Sequence, residues 1–176
     1  TVNTDWWNYG GITRDVMLVE TPGTFIIDYF IQLDPEDRQK VNGHIELNGP
    51  DSPNSEVLLS IPELGIRESL TTDGNGMATF KTGIKEMALW SPENPRLYKV
   101  EMVSNGDTLG DRIGFRTIET RGSEIILNGE AVFLKGICIH EERPGGGRVR
   151  SGAEARRLLE WTKELGCNYV RLAHYP

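Results

Sequence analysis

CNYVRLAHYP, residues 167–176, and VFLKGICIHE, residues 132–141, are the two stretches that decide the fold of this 176-residue chain. Both are short and rich in β-branched and apolar residues, and each carries a histidine near its end, His174 and His140. The pattern between them, at residues 151–165, is helical. A strand, a helix and a strand form a βαβ unit with parallel strands. Both histidines are therefore predicted at the carboxyl ends of parallel strands, where α/β barrels build their active sites.

The helix has clear boundary signals. Ser151 and Glu154 have the spacing of a capping box, and Gly166 suits the position after the last turn. We therefore predict a helix that begins at Ser151 and presents one mainly apolar face, formed by Ala155, Leu158, Leu159, Thr162 and Leu165.

The preceding part of the chain, residues 14–120, reads as all-β. Alternating or apolar runs lie at residues 14–20, 24–33, 44–47, 56–61, 77–80, 97–103 and 111–118. In the second run, one face is predicted to carry Phe25, Ile27, Tyr29, Ile31 and Leu33. Turns are predicted at residues 42–43, 48–50, 73–76 and 105–107, where Asn, Asp and Gly cluster. About seven short strands in about 100 residues are typical of an immunoglobulin-like sandwich.

A linker and a hairpin are predicted where the sandwich ends. Residues 120–123 fit a linker, and residues 124–133 fit a β-hairpin with Asn128-Gly129 at its turn. The second arm of this hairpin is expected to continue into the strand that ends at His140.

Composition excludes several classes of protein. The net charge is −7 and lysine and arginine are scattered, which argues against a nucleic-acid partner. No apolar run approaches the roughly 20 residues of a membrane helix. Cys138 and Cys167 are expected to be buried free thiols rather than a disulfide. No signal peptide is visible at Thr1, but the start resembles the middle of a longer chain, and a lost signal would favour a periplasmic or extracellular protein.

Three segments together resemble glycoside hydrolase family two, the family of β-galactosidases, β-glucuronidases and β-mannosidases. They are DWWNYGGITRDV at residues 5–16, LWSPENPRLY at residues 89–98, and the series FRTI, LKG, HE, NYVR and HYP between residues 115 and 176. The resemblance covers nearly the whole chain, and the order and spacing of the segments make it specific.

The resemblance implies a domain layout. Residues 1–13 would be the linker from a preceding jelly-roll domain, residues 14–120 the sandwich, and residues 121–176 the first part of a TIM-barrel catalytic domain. The two catalytic carboxylates of the family lie on later barrel strands, so no residue of this chain is assigned as catalytic, and the chain alone is expected to be inactive. No metal site or cofactor is implied.

Four residues are candidates for substrate binding. The resemblance makes His174 and His140 ligands of sugar hydroxyls, a role that suits imidazole because one nitrogen donates and the other accepts. Arg171 would orient the catalytic carboxylates, although a structural ion pair is nearly as good an interpretation. Asp5 would reach the mouth of the barrel, or it would simply cap a turn. The neighbouring carboxylates Glu141 and Glu142 are not interpreted as a catalytic pair, because adjacent residues of an extended segment point in opposite directions.

The predicted function is that of a fragment of a retaining β-glycosidase acting on terminal β-linked sugars, first of all a β-galactosidase. A β-glucuronidase, a β-mannosidase and a non-catalytic sandwich that binds carbohydrate or protein remain alternatives. The expected partner is a β-glycoside, and an open strand edge leaves association with a second copy as a further option.

Overall fold

The computed structural model describes residues 11–12, 15–140, 142–143, 147–148 and 151–172. The chain divides into two compact units, one formed by Glu20–Val132 and the other by Thr1–Val19 together with Phe133–Pro176. The domain limits expected from the sequence remain predictions.

The first unit contains an antiparallel sandwich, as predicted. Its strands are β1 (Phe25–Leu33), β2 (Lys40–Asn48), β3 (Glu56–Ile61), β4 (Ile66–Thr71), β5 (Met77–Gly83), β6 (Tyr98–Ser104) and β7 (Asp107–Ile113), with a 3-10 turn at Pro62–Leu64. One sheet has the order β1-β2-β5 and the other β4-β3-β6-β7.

A single apolar core joins the two sheets. It includes Ile45 and Phe80 from the three-stranded sheet, Leu59 and Met102 from the four-stranded sheet, and Phe115 after β7. Apolar residues that alternate along the strands supply most of this core, because alternate side chains of a strand point to the same face. Burial of this surface is the main source of stability of the sandwich.

Two strand assignments from the sequence are corrected. Residues 15–22 form no strand, and the apolar side chains of Val16, Met17, Leu18 and Val19 are exposed. The missed strand is β4, in which Ile66 is buried, and Glu68 and Leu70 are half-buried. Glu68 occupies an inward position and accepts a hydrogen bond from the Thr82 hydroxyl at 2.8 Å, so the apolar alternation is interrupted by a paired carboxylate.

The turn predicted at Asn42-Gly43 is also wrong, because both residues lie inside β2. The chain reverses earlier, at Asp34, whose carboxylate accepts hydrogen bonds from the N–H groups of Glu36 and Asp37 and from the Asn42 side chain at 2.7 Å. Gly43 serves a different purpose: a Cβ there would lie 2.0 Å from the carbonyl oxygen of Phe30 on the paired strand.

A β-bulge in β1 makes part of the predicted core-facing side of this strand wrong. The register with β2 shifts between Ile26 and Asp28, so Ile26 is buried and Ile27 is exposed, whereas Ile31 and Leu33 face the core as expected. Such a bulge reverses the in–out alternation along the bulged strand. The N–H of Ile26 donates to the carboxylate of Asp107 on β7 at 2.9 Å.

The hairpin at Asn128-Gly129 is confirmed. Strand β9 (Glu124–Leu127) pairs with β10 (Glu130–Val132), and Asn128 and Gly129 have φ angles of 55° and 95°, as a tight type I′ turn requires. The expected linker is wrong, since Thr120 and Arg121 belong to β8 (Ile118–Arg121), which pairs with β9. The second arm of the hairpin does not run on to His140, because residues 133–135 lie outside any strand.

The second unit contains the predicted βαβ pattern. Strand β11 (Gly136–Ile139) is followed by a short backbone pairing of β12 (Glu142–Arg143) with β13 (Gly147–Arg148), then by α1 (Gly152–Glu164) and β14 (Tyr169–Leu172). Both hydrogen bonds of the Ser151–Glu154 capping box are present, and Gly166 has the positive φ of a helix end. Thr162 is the buried residue of the predicted helix face, whereas Leu159 and Leu165 are exposed.

Leu59 and Leu58 give a direct test of the core. Leu59 is fully buried and its neighbour Leu58 is 40% exposed on the same strand. Leu59→Ala is expected to lower the free energy of unfolding by about 2–5 kcal/mol, because it removes apolar contacts and leaves a cavity. Leu58→Ala is the matched control and should cost less than about 1 kcal/mol. Urea unfolding monitored by circular dichroism measures the free energy of unfolding of both variants. Equal losses of stability would contradict the assignment of Leu59 to the core.

The turn at Asp34 predicts a pH dependence of stability. The pKa of Asp34 is lowered from 3.8 to about 2, mainly by the side-chain hydrogen bond from Lys81. Burial acts in the opposite direction. The backbone N–H groups of Glu36 and Asp37 and the side-chain amide of Asn42 lower the pKa further. The stabilisation is therefore complete above pH 3.8 and is lost as the pH falls through about 2.

Asp34→Asn should remove this part of the pH dependence and lower stability at neutral pH, because Lys81 loses its carboxylate partner. Urea midpoints between pH 2 and pH 7 measure the effect, with the exposed Asp15→Asn as control. A pH profile identical to that of the wild type would contradict this role of Asp34.

Candidate active site

The candidate site is built on the parallel pairing of β11 with β14. The paired residues are Gly136 with Tyr169, Ile137 with Val170, Cys138 with Arg171, and Ile139 with Leu172. Paired residues of a parallel ladder point to the same face, and alternate residues of one strand do so as well. One face therefore carries Gly136, Cys138, Tyr169 and Arg171, and the other carries Ile137, Ile139, Val170 and Leu172.

The two faces differ in exposure. Ile139 is buried and Ile137 and Val170 are half-buried, whereas Cys138 and Arg171 are exposed. The face that holds Cys138 and Arg171 is thus the more open and more polar one. We refer to it as the polar face of the β11–β14 pair.

The alternation of β11 predicts that His140 shares this polar face with Arg171. His140 is half-buried and directly follows β11, two residues after Cys138. Arg171 is the ladder partner of Cys138. Asp5 and His174 lie outside the described residues, so their roles as substrate ligands remain predictions.

A close contact at the start of the pair explains Gly136. A Cβ at this position would lie 2.6 Å from Cδ1 of Tyr169 and 3.1 Å from its carbonyl oxygen. Glycine is therefore required for Tyr169 to lie across β11 at this point. Cys138 and Cys167 are both free, as expected, but Cys138 is exposed and Cys167 only half-buried, so the prediction of burial is wrong.

Asn168, the first residue of the NYVR segment, has a structural role that the sequence did not indicate. Its side-chain Oδ1 accepts a hydrogen bond from the N–H of Lys135 at 2.8 Å, and its Nδ2 donates to the carbonyl of Phe133 at 3.0 Å. The signal that could have revealed it is its position directly before a parallel strand, where an amide side chain can substitute for a missing ladder partner.

The segment at residues 89–98 has a structural function in the first unit. The Tyr98 hydroxyl bonds the backbone of Ala88, and the Tyr98 ring lies 5.7 Å from that of Phe115. The N–H of Trp90 donates to the carbonyl of Phe115 at 2.8 Å, and its ring fills the space beside Gly114. These contacts hold the chain after β7 against the sandwich and offer no reactive group.

The chemistry available on the polar face is hydrogen bonding and charge. Imidazole can donate and accept, and guanidinium presents a rigid set of donors that matches carboxylates. Across the described ranges, no group of three or more His, Cys, Asp or Glu side chains could hold a metal ion. None of the helices described is both long and apolar enough to pass through a bilayer.

Comparison with known proteins identifies relatives along the whole chain. The profile of glycosyl hydrolases family 2 matches residues 24–116, and the profile of the TIM barrel domain of that family matches residues 118–176. A putative β-glucuronidase from Formosa agariphila is 33% identical over 98% of the chain, and a β-galactosidase from Arthrobacter sp. is 31% identical over 98%. The chain spans 22% and 16% of these two relatives, respectively.

Solved structures agree with this relationship. A β-galacturonidase of the same family from Eisenbergiella tayi, bound to galacturonate, matches 89% of the chain with a TM-score of 0.71 and 28% identity. A β-glucuronidase from Faecalibacterium prausnitzii matches 89% with a TM-score of 0.69 and 27% identity. The chain covers 30% and 25% of these two structures, respectively. Taken with the sandwich and the parallel βαβ pattern, these matches show that the chain belongs to glycosyl hydrolases family 2.

Proposed function

We propose that the protein to which this chain belongs is a retaining β-glycosidase that removes terminal β-linked sugars, and that the chain contributes sugar-binding groups to its active site. The observation that carries the proposal is the parallel β11–β14 pair, with His140 directly after β11 and Arg171 on β14. Carboxyl ends of parallel strands are the positions from which barrel enzymes present functional side chains. The same pairing supports an enzyme over a sandwich module that only binds carbohydrate.

In this proposal each residue has a separate role. His140 and His174 bind sugar hydroxyls, Asp5 contributes at the mouth of the barrel, and Arg171 orients the catalytic carboxylates. A retaining enzyme needs a nucleophilic carboxylate and an acid/base carboxylate about 5–5.5 Å apart. The family resemblance assigns both carboxylates to later barrel strands, so the residues of this chain bind and orient rather than transfer protons.

A β-galactosidase is our first candidate, and a β-uronidase is the second. The Arthrobacter relative favours the first, and the Formosa, Faecalibacterium and Eisenbergiella relatives favour the second. Uronide recognition requires cationic groups directed at a sugar carboxylate, for which guanidinium is well suited. Relative kcat/KM values of the full-length protein on aryl β-galactoside, β-glucuronide, β-galacturonide and β-mannoside distinguish these candidates.

His140 provides the first test of the site. In the full-length protein, His140→Phe keeps an aromatic ring but removes the hydrogen bonds of the imidazole. We expect kcat/KM to fall about tenfold, because a hydrogen bond between neutral groups contributes about 0.5–1.5 kcal/mol and its unpaired partner adds a further cost.

The matched control is His44→Phe, which makes the same substitution in β2, where the ring lies 6.1 Å from that of Phe30. This variant should keep kcat/KM within about twofold of wild type, since the change lies in the sandwich. Equal losses in the two variants would remove His140 from the proposed site.

The 176-residue chain expressed by itself is expected to show no turnover of these four substrates. Groups that bind the substrate and the transition state equally well give no acceleration of the chemical step. Turnover that disappears in Glu141→Gln or Glu142→Gln would mean that a catalytic carboxylate lies in this chain, contrary to the proposal.

A further inference from the structure

Asn168 connects the beginning of β14 to the segment that precedes β11. Its side chain accepts from the N–H of Lys135 and donates to the carbonyl of Phe133, and its own N–H donates to the carbonyl of Lys135 at 2.9 Å. The N–H of Tyr169 also approaches that carbonyl, at 3.2 Å. Side chain and backbone of Asn168 together act as an additional ladder partner for residues 133–135. We call this set of contacts the Asn168 clamp.

The clamp lies at one end of the strand pair and the functional groups lie at the other. Residues 133–135 belong to no strand, so the clamp extends the pairing beyond the first ladder residues, Gly136 and Tyr169. His140 follows the last ladder residue of β11, Ile139. Any displacement of β14 along β11 would therefore have to break the clamp first.

Register determines which side chains share a face with His140. In the observed register Arg171 is paired with Cys138 and lies on the polar face. A slip of β14 by one residue would direct Arg171 to the opposite face and bring Val170 or Leu172 to the polar face, because the side-chain period of a strand is two.

We infer that Asn168 is a positioning residue of the proposed glycosidase site: it fixes the register of β14 against β11 and so keeps Arg171 on the same face as His140. This inference rests on the proposed function for the reaction involved, but its physical basis is the clamp itself. Asn168 acts through the strand pair and touches no substrate.

The first unit offers a matched clamp. The side chain of Asn128 accepts from the N–H of Thr117 at 3.1 Å and donates to the carbonyl of Trp90 at 2.9 Å. Asn128 is thus the same residue type, bonding two backbone groups in the same way. Asn128→Gly removes this clamp and also suits the φ of 55° at that position.

The experiment compares Asn168→Ala with Asn128→Gly in the full-length protein. Tm, kcat and KM on the best aryl β-glycoside, and hydrogen exchange of the peptides around residues 136–140 and 169–172, are measured for each. We expect both variants to lower Tm. Only Asn168→Ala should accelerate exchange in these two segments and lower kcat/KM about tenfold or more, because displaced binding groups lose the alignment that the reaction needs.

Two further variants test the mechanism. Asn168→Asp keeps an acceptor for the N–H of Lys135 but loses the donor to Phe133, so its kcat/KM should lie between those of wild type and Asn168→Ala. If Asn168 acts through the site, its effect should be non-additive with that of His140→Phe, and the double variant should be hardly worse than the more impaired single variant. If Asn168→Ala does not fold, the intermediate activity and exchange of Asn168→Asp provide the same test.

The outcomes separate the two proposals. Wild-type protein that hydrolyses none of the four glycosides would overturn the proposed function, whereas the exchange comparison would still report on the clamp. Unchanged exchange at residues 136–140 and 169–172 in Asn168→Ala would overturn the inference. So would a loss of Tm with kcat/KM unchanged, which would make Asn168 a stabilising residue only, equivalent to Asn128.

Discussion

The parallel pairing of β11 with β14 is the constraint on which the candidate site depends. Lys135 and Asn168 are 33 residues apart in the sequence, and their hydrogen bond lies where the two segments first meet. Parallel strands need a long crossover, which α1 provides, and they need a ladder that cannot slide. Gly136 allows the close contact of Tyr169, and Asn168 closes the pair at its beginning. The position of His140 and Arg171 is a consequence of these contacts.

The sandwich has a different basis. Its stability comes from a core shared by two sheets, with fully buried side chains such as Ile45, Leu59 and Met102. Polar side chains fix turns and connections that contribute little to this core. Asp34 holds the turn after β1, and Asn128 joins the β9–β10 hairpin to the carbonyl of Trp90. Within segments 89–98 and 115–118, Trp90, Phe115 and Thr117 form hydrogen bonds that hold backbone segments together, whereas the proposed chemistry belongs to the strand pair.

Two Asn-Gly dipeptides show how far the sequence could predict the fold. At Asn128-Gly129 both residues adopt positive φ and the turn forms as predicted. At Asn42-Gly43 the same dipeptide lies within a strand, since Asp34 binds the amide of Asn42 and already completes the turn, and Gly43 gives room to the carbonyl of Phe30. The local signal is the same in both cases, and a carboxylate eight residues earlier in the chain decides the outcome. The capping box and the βαβ order depend on local patterns and were predictable, whereas the bulge at Ile27 depends on the partner strand and was not.

The candidate site was predictable only in part, for the same physical reason. His140 and Arg171 could be proposed from the sequence because strand ends and alternation can be read from one strand at a time. Asn168 was missed because its function exists only between two strands, in the match of one amide to an N–H and a carbonyl of residues 133–135. The spacing between Asn168 and Arg171 matters because side chains of a strand alternate between its two faces. A single residue inserted between them would leave the clamp intact but direct the guanidinium of Arg171 to the opposite face of the strand pair. The distance in sequence from Asn168 to Arg171 is therefore as much a part of the proposed site as either residue.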